Sequence, residues 1–546
     1  MQPAPTKVFR IFRLWYFESP ISDNDNPATY FKLVPRAGRP REIIAQAPTV
    51  PGSHPKTMHI LSLILWTPFL GALALAFAPP ERVRMIRGIA FAASGLALLL
   101  AWSLPWWFDT GTPTAQFAES HVWNPELGSY YALGVDGFSL PMLMLSTLLC
   151  VVALLASGSV KTRVKGYHAW LLALEFGMLG VFMAQDWSLF FVFWELTLIP
   201  LFFLIDQWGG ARRHAASLNF VLYTMGGSVF MLMSLLLIFT LSAEHSTTMD
   251  AMLRAARALP RDQQFWIFLG FLIGFGVKMP IFPIHGWLPL AHVEAPSPVS
   301  ILLSGAMLKM GAYGLIKATG MLPAAALALQ PWLAGLALVS ILYGALLAFR
   351  QTDLKAMIAY SSVSHMGVVL LGIAALNETG LLGAVLQMSA HGLIAGALFL
   401  LVGLLYERTH TREIGDYSSL VRAAPRFAFF TTLALLASMG LPGSAGFVAE
   451  LHALIGGFQS FGWPMVFVSL GVLIGAAYAI RTAGRLFTGP VRPEMREIPD
   501  LRTHELAAAG TLALGILWLG LAPATATGLM DAKVAELSSV FVQRPF

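Results

Sequence analysis

Five ionisable side chains stand well inside apolar runs of this sequence: Glu175, Glu195, Lys278, Lys309 and Glu450. A charge in a membrane-spanning segment costs about 2.5–3.5 kcal/mol or more on the insertion scale, so each of them requires a partner, water or a function. Glu195, in LFFVFWELTLIPLFFL, has Thr197 as its nearest polar side chain, and a lysine from another helix would hold it as a carboxylate. Lys278 lies two positions before Pro280, where unwound backbone and water can solvate an ammonium. A Glu195–Lys278 pair would therefore trade a proton as it opens and closes. The competing reading is a static ion pair joining two helices, a poor route to stability. Lys309, in ILLSGAMLKMGAYGLIK, has no acid within four residues and stands mid-segment, which argues against a side chain snorkelling to the interface. Glu450 follows a second interruption, SMGLPGSAGFVAEL, within one or two turns.

Histidines extend this set, because imidazoles take up and release protons near neutral pH. His365 follows YSSVS, and His391 lies four residues after Gln387 on the same helix face. Packing alone is the alternative role for either ring. His285 and His292 flank the loop after the first interruption, where they would form a proton inlet; their spacing does not make them metal ligands. Glu175 either joins the path or hydrogen-bonds within the bundle.

The elements that position these groups follow from composition. The chain has 546 residues, of which 56% are hydrophobic and 12% charged, half the charged share of a soluble protein. Its mean hydropathy is +0.68. Apolar stretches of about 20 residues predict an all-α polytopic membrane protein of about fourteen helices. They begin near Met58, Met85, Phe138, Tyr167, Trp187, Ser217, Phe265, Val299, Trp332, Lys355, Leu381, Phe427, Trp463 and Leu506. Two of these runs are broken by proline and glycine, at Pro280 and Pro283 and again at Gly440 and Pro442. Pro283 and Pro442 are 159 residues apart, about five spans, the pattern of paired broken helices in a duplicated transporter. Polar segments at Asp109 to Asp136 and Ser242 to Gln264 are the exceptions to short loops.

If the first helix enters from outside, nineteen basic residues fall in cytoplasmic loops, Lys355 among them, and six on the opposite side, including Lys317. That asymmetry obeys the positive-inside rule and accounts for the net charge of +6 without nucleic acid. Residues 1–57 carry eight basic residues and no spanning run, on the wrong side for that rule. The expectation is a tail that is disordered or not translated, with the start at Met58. A single transmembrane domain over 58–530 and a C-terminal tail over 531–546 complete the organisation. The single cysteine, Cys150, leaves no thiolate set for an iron–sulfur cluster. GxGxxG after a strand, Walker A and HExxH motifs are also missing, so redox chemistry or ATP hydrolysis would belong to partner subunits.

The strings FWELTLIPLFFLIDQWGG, KMPIFPIHGWLPLAHVEAPSPVSILLSGAMLKMGAYGLIK, DLKAMIAYSSVSHMGVVLLGI and MGLPGSAGFVAEL resemble the proton-pumping antiporter-like subunits of NADH:quinone oxidoreductase, respiratory complex I. The resemblance runs from about the first helix through the thirteenth. HVEAP and Glu450 are similar to subunit M, the chain 4 type, where siblings usually carry a lysine at the second site. The resemblance implies fourteen helices with two inverted five-helix repeats, each holding a broken helix. It implies a Glu195–Lys278 pair, a central Lys309, transfer through His365 and His391, and Glu450 as exit-side carrier. It also implies no cofactor on this chain, with NADH, FMN, iron–sulfur clusters and quinone on partner subunits. The implied surroundings are sibling antiporter-like subunits, the lipid bilayer and a bacterial inner membrane. Leu290 departs from the family, since many relatives have a charged residue after HGWLP, and Pro298 is less typical of subunit M. The competing assignments are a multi-subunit cation/proton antiporter, the membrane arm of a hydrogenase-type complex, and a static scaffold.

Overall fold

The computed structural model describes residues 59–542, apart from 491, 496 and 497. The tail over 1–57, the start at Met58 and the last four positions of the chain lie outside the described residues.

Twelve helices among the described residues are long and apolar enough to cross a membrane. The first two are α1 (Ile60–Phe77) and α2 (Val83–Ser103). The polar segment after them is an antiparallel hairpin of β1 (Gln116–Asn124) and β2 (Ser129–Val135). Its acids are used as helix caps. Glu119, buried, accepts the Leu61 and Ser62 amides at 2.8 and 3.2 Å, and Asp136 accepts those of Phe138 and Ser139 at 3.0 and 2.9 Å. Carboxylates at helix starts satisfy orphan N–H groups and the positive end of the helix dipole.

The chain continues through α3 (Ser139–Ala156), α4 (Val164–Met183), α5 (Trp187–Leu196), α6 (Leu198–Trp208) and α7 (Arg213–Leu241). Asp186 caps α5 by accepting from the Ser188 and Leu189 amides, and α5 and α6 form one span with a turn at Thr197. The second polar segment holds a short amphipathic helix, α8 (Met249–Ala258).

At the first expected break, α9 (Arg261–Lys278) stops, the backbone turns through 279–286, and α10 (Trp287–Glu294) resumes. Proline there removes hydrogen bonds and clashes with the preceding turn. α11 (Ser297–Leu302) runs through a π-helical stretch, Leu303–Met307, into α12 (Leu308–Met321). Pro298 sits in the first turn of α11, where its missing N–H costs nothing.

Then follow α13 (Pro323–Arg350), α14 (Leu354–Ala375), α15 (Glu378–Thr409) and a single turn, α16 (Leu420–Ala423). The second break separates α17 (Pro425–Ser438) from α18 (Ala445–Phe461), with Gly440 and Gly443 at φ of +74° and +89°. The chain ends with α19 (Val466–Phe487), α20 (Thr503–Leu521), the turn α21 (Ala524–Thr527) and α22 (Asp531–Val542). The stretch read as a C-terminal tail is therefore helical over Asp531–Val542.

The sequence predicts about fourteen spans, and the two that fall short of the spanning criteria are the broken ones. α17 is 14 residues long, and α9 carries Arg261, Asp262 and Lys278. Burial sorts the rest. The spans Ser139–Ser159, Ser297–Met321, Leu354–Ala375 and Glu378–Thr409 are 89% or more buried over their apolar windows, while α1, α2 and the α19 span are 33% buried. A helix buried on all sides is a core helix, and one apolar outward faces lipid.

Candidate functional site

The first break places Lys278 at the last position of α9. Its ammonium donates to the Trp194 carbonyl at 3.2 Å and to Thr197 Oγ1 at 3.0 Å. It also stands 3.9 Å from the centre of the Trp194 ring, a cation–π contact. The ring is held in turn by its indole N–H, which donates to Ser228 Oγ at 2.9 Å. Glu195 is an electrostatic neighbour of Lys278, yet no salt bridge joins the two among the described residues. The direct pair read from the sequence is thus open here: the lysine occupies a neutral cage built on the helix that carries the glutamate. Oε1 of Glu195 is buried without a hydrogen-bond partner among the described residues.

The second cluster is a row of four side chains. Lys309, on α12 and fully buried, donates to the Ser304 carbonyl at 2.6 Å and to His391 Nδ1 at 2.7 Å. Ser304 lies in the π-helical stretch, where a wider turn leaves backbone carbonyls for other donors. The His391 ring, on α15, faces His365 of α14 at 5.5 Å between centroids. His365 Nδ1 is 3.2 Å from Glu450 Oε1 on α18 and 3.3 Å from Gln387 Nε2 on α15. Four helices thus contribute one row: Lys309, His391, His365, Glu450. The second break admits the carboxylate. A Cβ on Gly440 would come within 2.9 Å of Glu450 Oε2, and its positive φ favours glycine in any case.

Of the accessory residues, His292 is an electrostatic neighbour of both Lys309 and His391. Glu175 accepts from Ser94 Oγ at 3.0 Å, and its other oxygen has no partner among the described residues. His285 is packed between Phe282 and Tyr343. His292 is fully buried, stacked on Phe399 at 4.5 Å, with both ring nitrogens unpartnered among the described residues. Leu290 packs part-buried against the core and offers no charge.

Two lysines read as loop charges are structural members of the bundle. Lys355 is in the first turn of α14, only 4% exposed, and donates to the Ala295 carbonyl at 2.8 Å. Asp353 caps α14 and bridges Arg412 at 3.0 Å; that N-cap signal in DLKAM would have placed Lys355 inside the helix. Lys317 lies in α12 and pairs with buried Asp136 at 2.7 Å. Burial pushes the Asp136 carboxyl up, but the Lys317 and Lys533 ammonium groups and the Ser139 amide outweigh it and hold it well below the usual carboxylate range.

Residues 184–475 match the family described as NADH:quinone oxidoreductase/Mrp antiporter, TM. The chain is 41% identical over 490 residues to an NAD(P)H-quinone oxidoreductase chain 4 of Picosynechococcus sp., covering 86% of this chain and 90% of the relative. It is 39% identical over 494 residues to NADH-quinone oxidoreductase subunit M of Rhodobacter capsulatus, covering 88% and 96%. Respiratory complex I from Thermus thermophilus contains a chain of the same fold, with a TM-score of 0.81 and 32% identity over 89% of this chain and all of that one. A membrane domain with two charged breaks, matched over most of its length by chain 4 and subunit M proteins, belongs to the antiporter-like membrane subunit family of NADH:quinone oxidoreductase.

Proposed function

We propose that this chain is a proton-translocating membrane subunit of an NADH:quinone oxidoreductase and that its carrier is the row Lys309–His391–His365–Glu450. The observation supporting this reading is the contiguity of that row across α12, α15, α14 and α18. Lys309 is oriented to hand a proton to His391 Nδ1, and the two imidazoles, 5.5 Å apart between centroids, each keep Nε2 without a partner among the described residues, so a ring rotation or a bridging water would complete the transfer. His365 then delivers to Glu450 through Nδ1.

The first cluster acts as the trigger. Lys278 moves between its Trp194–Thr197 cage and the Glu195 carboxylate, which changes the field at Lys309. A physical contact links the two clusters: a Cβ on Gly311 would lie 2.6 Å from the Phe275 carbonyl oxygen and 2.7 Å from the Met279 amide nitrogen at the end of α9. Such coupling needs a two-state element, and the break after Lys278 is the candidate. NADH, FMN, iron–sulfur clusters and quinone would reside on partner subunits, with sibling antiporter-like subunits alongside in a bacterial inner membrane. Glu175, His285 and His292 would serve as accessory groups on the approach to the row.

NADH-driven proton uptake in inverted membrane vesicles tests this directly. Glu450→Gln and Glu195→Gln, each in an assembled complex, are expected to lower uptake roughly tenfold or more, since a positioned proton carrier contributes on the order of 10²–10⁴-fold. Uptake equal to the unmutated strain in both variants would refute the row and the trigger.

A further inference from the structure

We propose that the basic face of the molecule carries a groove for an anionic phospholipid, its phosphodiester among Arg87, Lys161 and Arg502 and an acyl chain against Phe91, Leu155 and Leu404. The groove encloses about 940 Å³ where the starts of α2, α4 and α20 meet the ends of α3 and α15. Its lining holds four cationic side chains against two carboxylates. Arg408 and Glu505 neutralise each other at 2.5 Å. None of Arg87, Lys161 and Arg502 has a salt-bridge partner among the described residues, and Glu407, an electrostatic neighbour of Arg502, offsets one of these charges, so the groove keeps a surplus of positive charge. Arg87 is anchored at the rim through its donation to the Gly158 and Val160 carbonyls at 3.0 and 3.1 Å.

Charge and grease are layered in the order of a phospholipid. Phe91 stands one turn inward from Arg87 on the same face of α2, and Leu404 one turn inward from Arg408 on α15. Each apolar residue therefore lies about 6 Å deeper than its charge. Along α2 the groove continues as an open track. Cβ atoms on Gly88 and Gly95 would touch nothing within 4 Å, Phe91 is 45% exposed, and Leu99, two turns beyond it, is 70% exposed. Basic pockets between membrane helices on the positive side suit lipid phosphates. A free phosphate would leave the apolar wall and the α2 track uncovered.

The test is native mass spectrometry of the delipidated full chain, offered equal phosphatidylglycerol and phosphatidylcholine, with and without millimolar inorganic phosphate. The wild type is expected to retain phosphatidylglycerol preferentially, phosphate present or not. Lys161→Gln with Arg502→Gln, both exposed residues, should weaken that retention roughly tenfold or more, given the attraction of each interfacial cation for anionic lipid. Arg422→Gln with Arg426→Gln, exposed and outside the groove, should leave retention unchanged, and matched melting curves check folding. Equal retention of the two lipids, displacement by phosphate alone, or equal loss in both double variants would each overturn the proposal.

Discussion

At His365 one nitrogen serves two neighbours that want opposite things of it. Nδ1 can donate to Glu450 only while it carries a proton, and it can accept from the Gln387 amide only when it does not. In the proposed relay, a proton arriving at this ring would favour Glu450 over Gln387, and its departure would reverse the preference. In that relay Gln387 would be the partner of the deprotonated ring. Replacing it, Gln387→Leu, removes that partner at a cost of about 1 kcal/mol, so vesicle proton uptake is expected to fall roughly fivefold while quinone reduction by the assembled complex falls no further. Uptake at the wild-type rate in that variant would show that the ring needs no second partner. Gly440 acts at the same scale, since its missing side chain leaves the space that Glu450 occupies.

Among elements, the two breaks and the buried caps share a logic: polar backbone at membrane depth is tolerated where side chains or cavities satisfy it. The hairpin at β1 and β2 meets the bundle through acids that cap α1 and α3, and the Asp136–Lys317 bridge ties that corner to α12. Removing Lys317 takes its direct partner from buried Asp136 and leaves Lys533 and two backbone amides, so the cost stays below the roughly 3–5 kcal/mol of a fully stranded buried charge. Lys317→Met is expected to lower the melting temperature of the purified protein at neutral pH. The sign of the pH dependence follows from Asp136, whose folded pKa is depressed. Its contribution is complete above the unfolded carboxylate range, near pH 4, and disappears as pH falls through the lower folded value. The gap between Lys317→Met and wild type should therefore be widest at neutral pH and narrow only in strong acid. A melting curve unchanged at pH 7 would sink the structural role of the bridge.

For the molecule as a whole, the row lies on or beside the most buried helices, while α1, α2 and α19 are the most exposed. The basic ends of α2, α4, α15 and α20 gather on one face, as one groove lined by all four makes plain. The hairpin belongs to the opposite end of α2 and α3. If the basic face is cytoplasmic, a cysteine placed at Glu126 in the hairpin turn should be labelled by an impermeant thiol reagent in intact cells. One placed at Lys161 should be labelled only in inverted vesicles. The native thiol does not interfere, because Cys150 is buried. Labelling of both sites from the same side would overturn the orientation.

Much of this architecture was legible in the linear sequence, because lipid enforces long apolar runs and penalises each charge within them. Helix positions, both breaks and the places of the six proposed relay residues follow from where charge, histidine, proline and glycine interrupt those runs, together with the family resemblance. Tertiary structure alone decided the rest. Glu195 and Lys278 stand apart because a tryptophan face and two oxygens on a neighbouring helix satisfy the ammonium, a contact that no spacing rule contains. The order of the row depends on how α12, α14, α15 and α18 pack, and the burial of Lys355 and the pairing of part-buried Lys317 depend on carbonyl and carboxylate partners 60 and 181 residues away. The polar segment Asp109 to Asp136 holds a hairpin, and two of its carboxylates cap helices, since composition records that acids are present and only the fold determines what they touch.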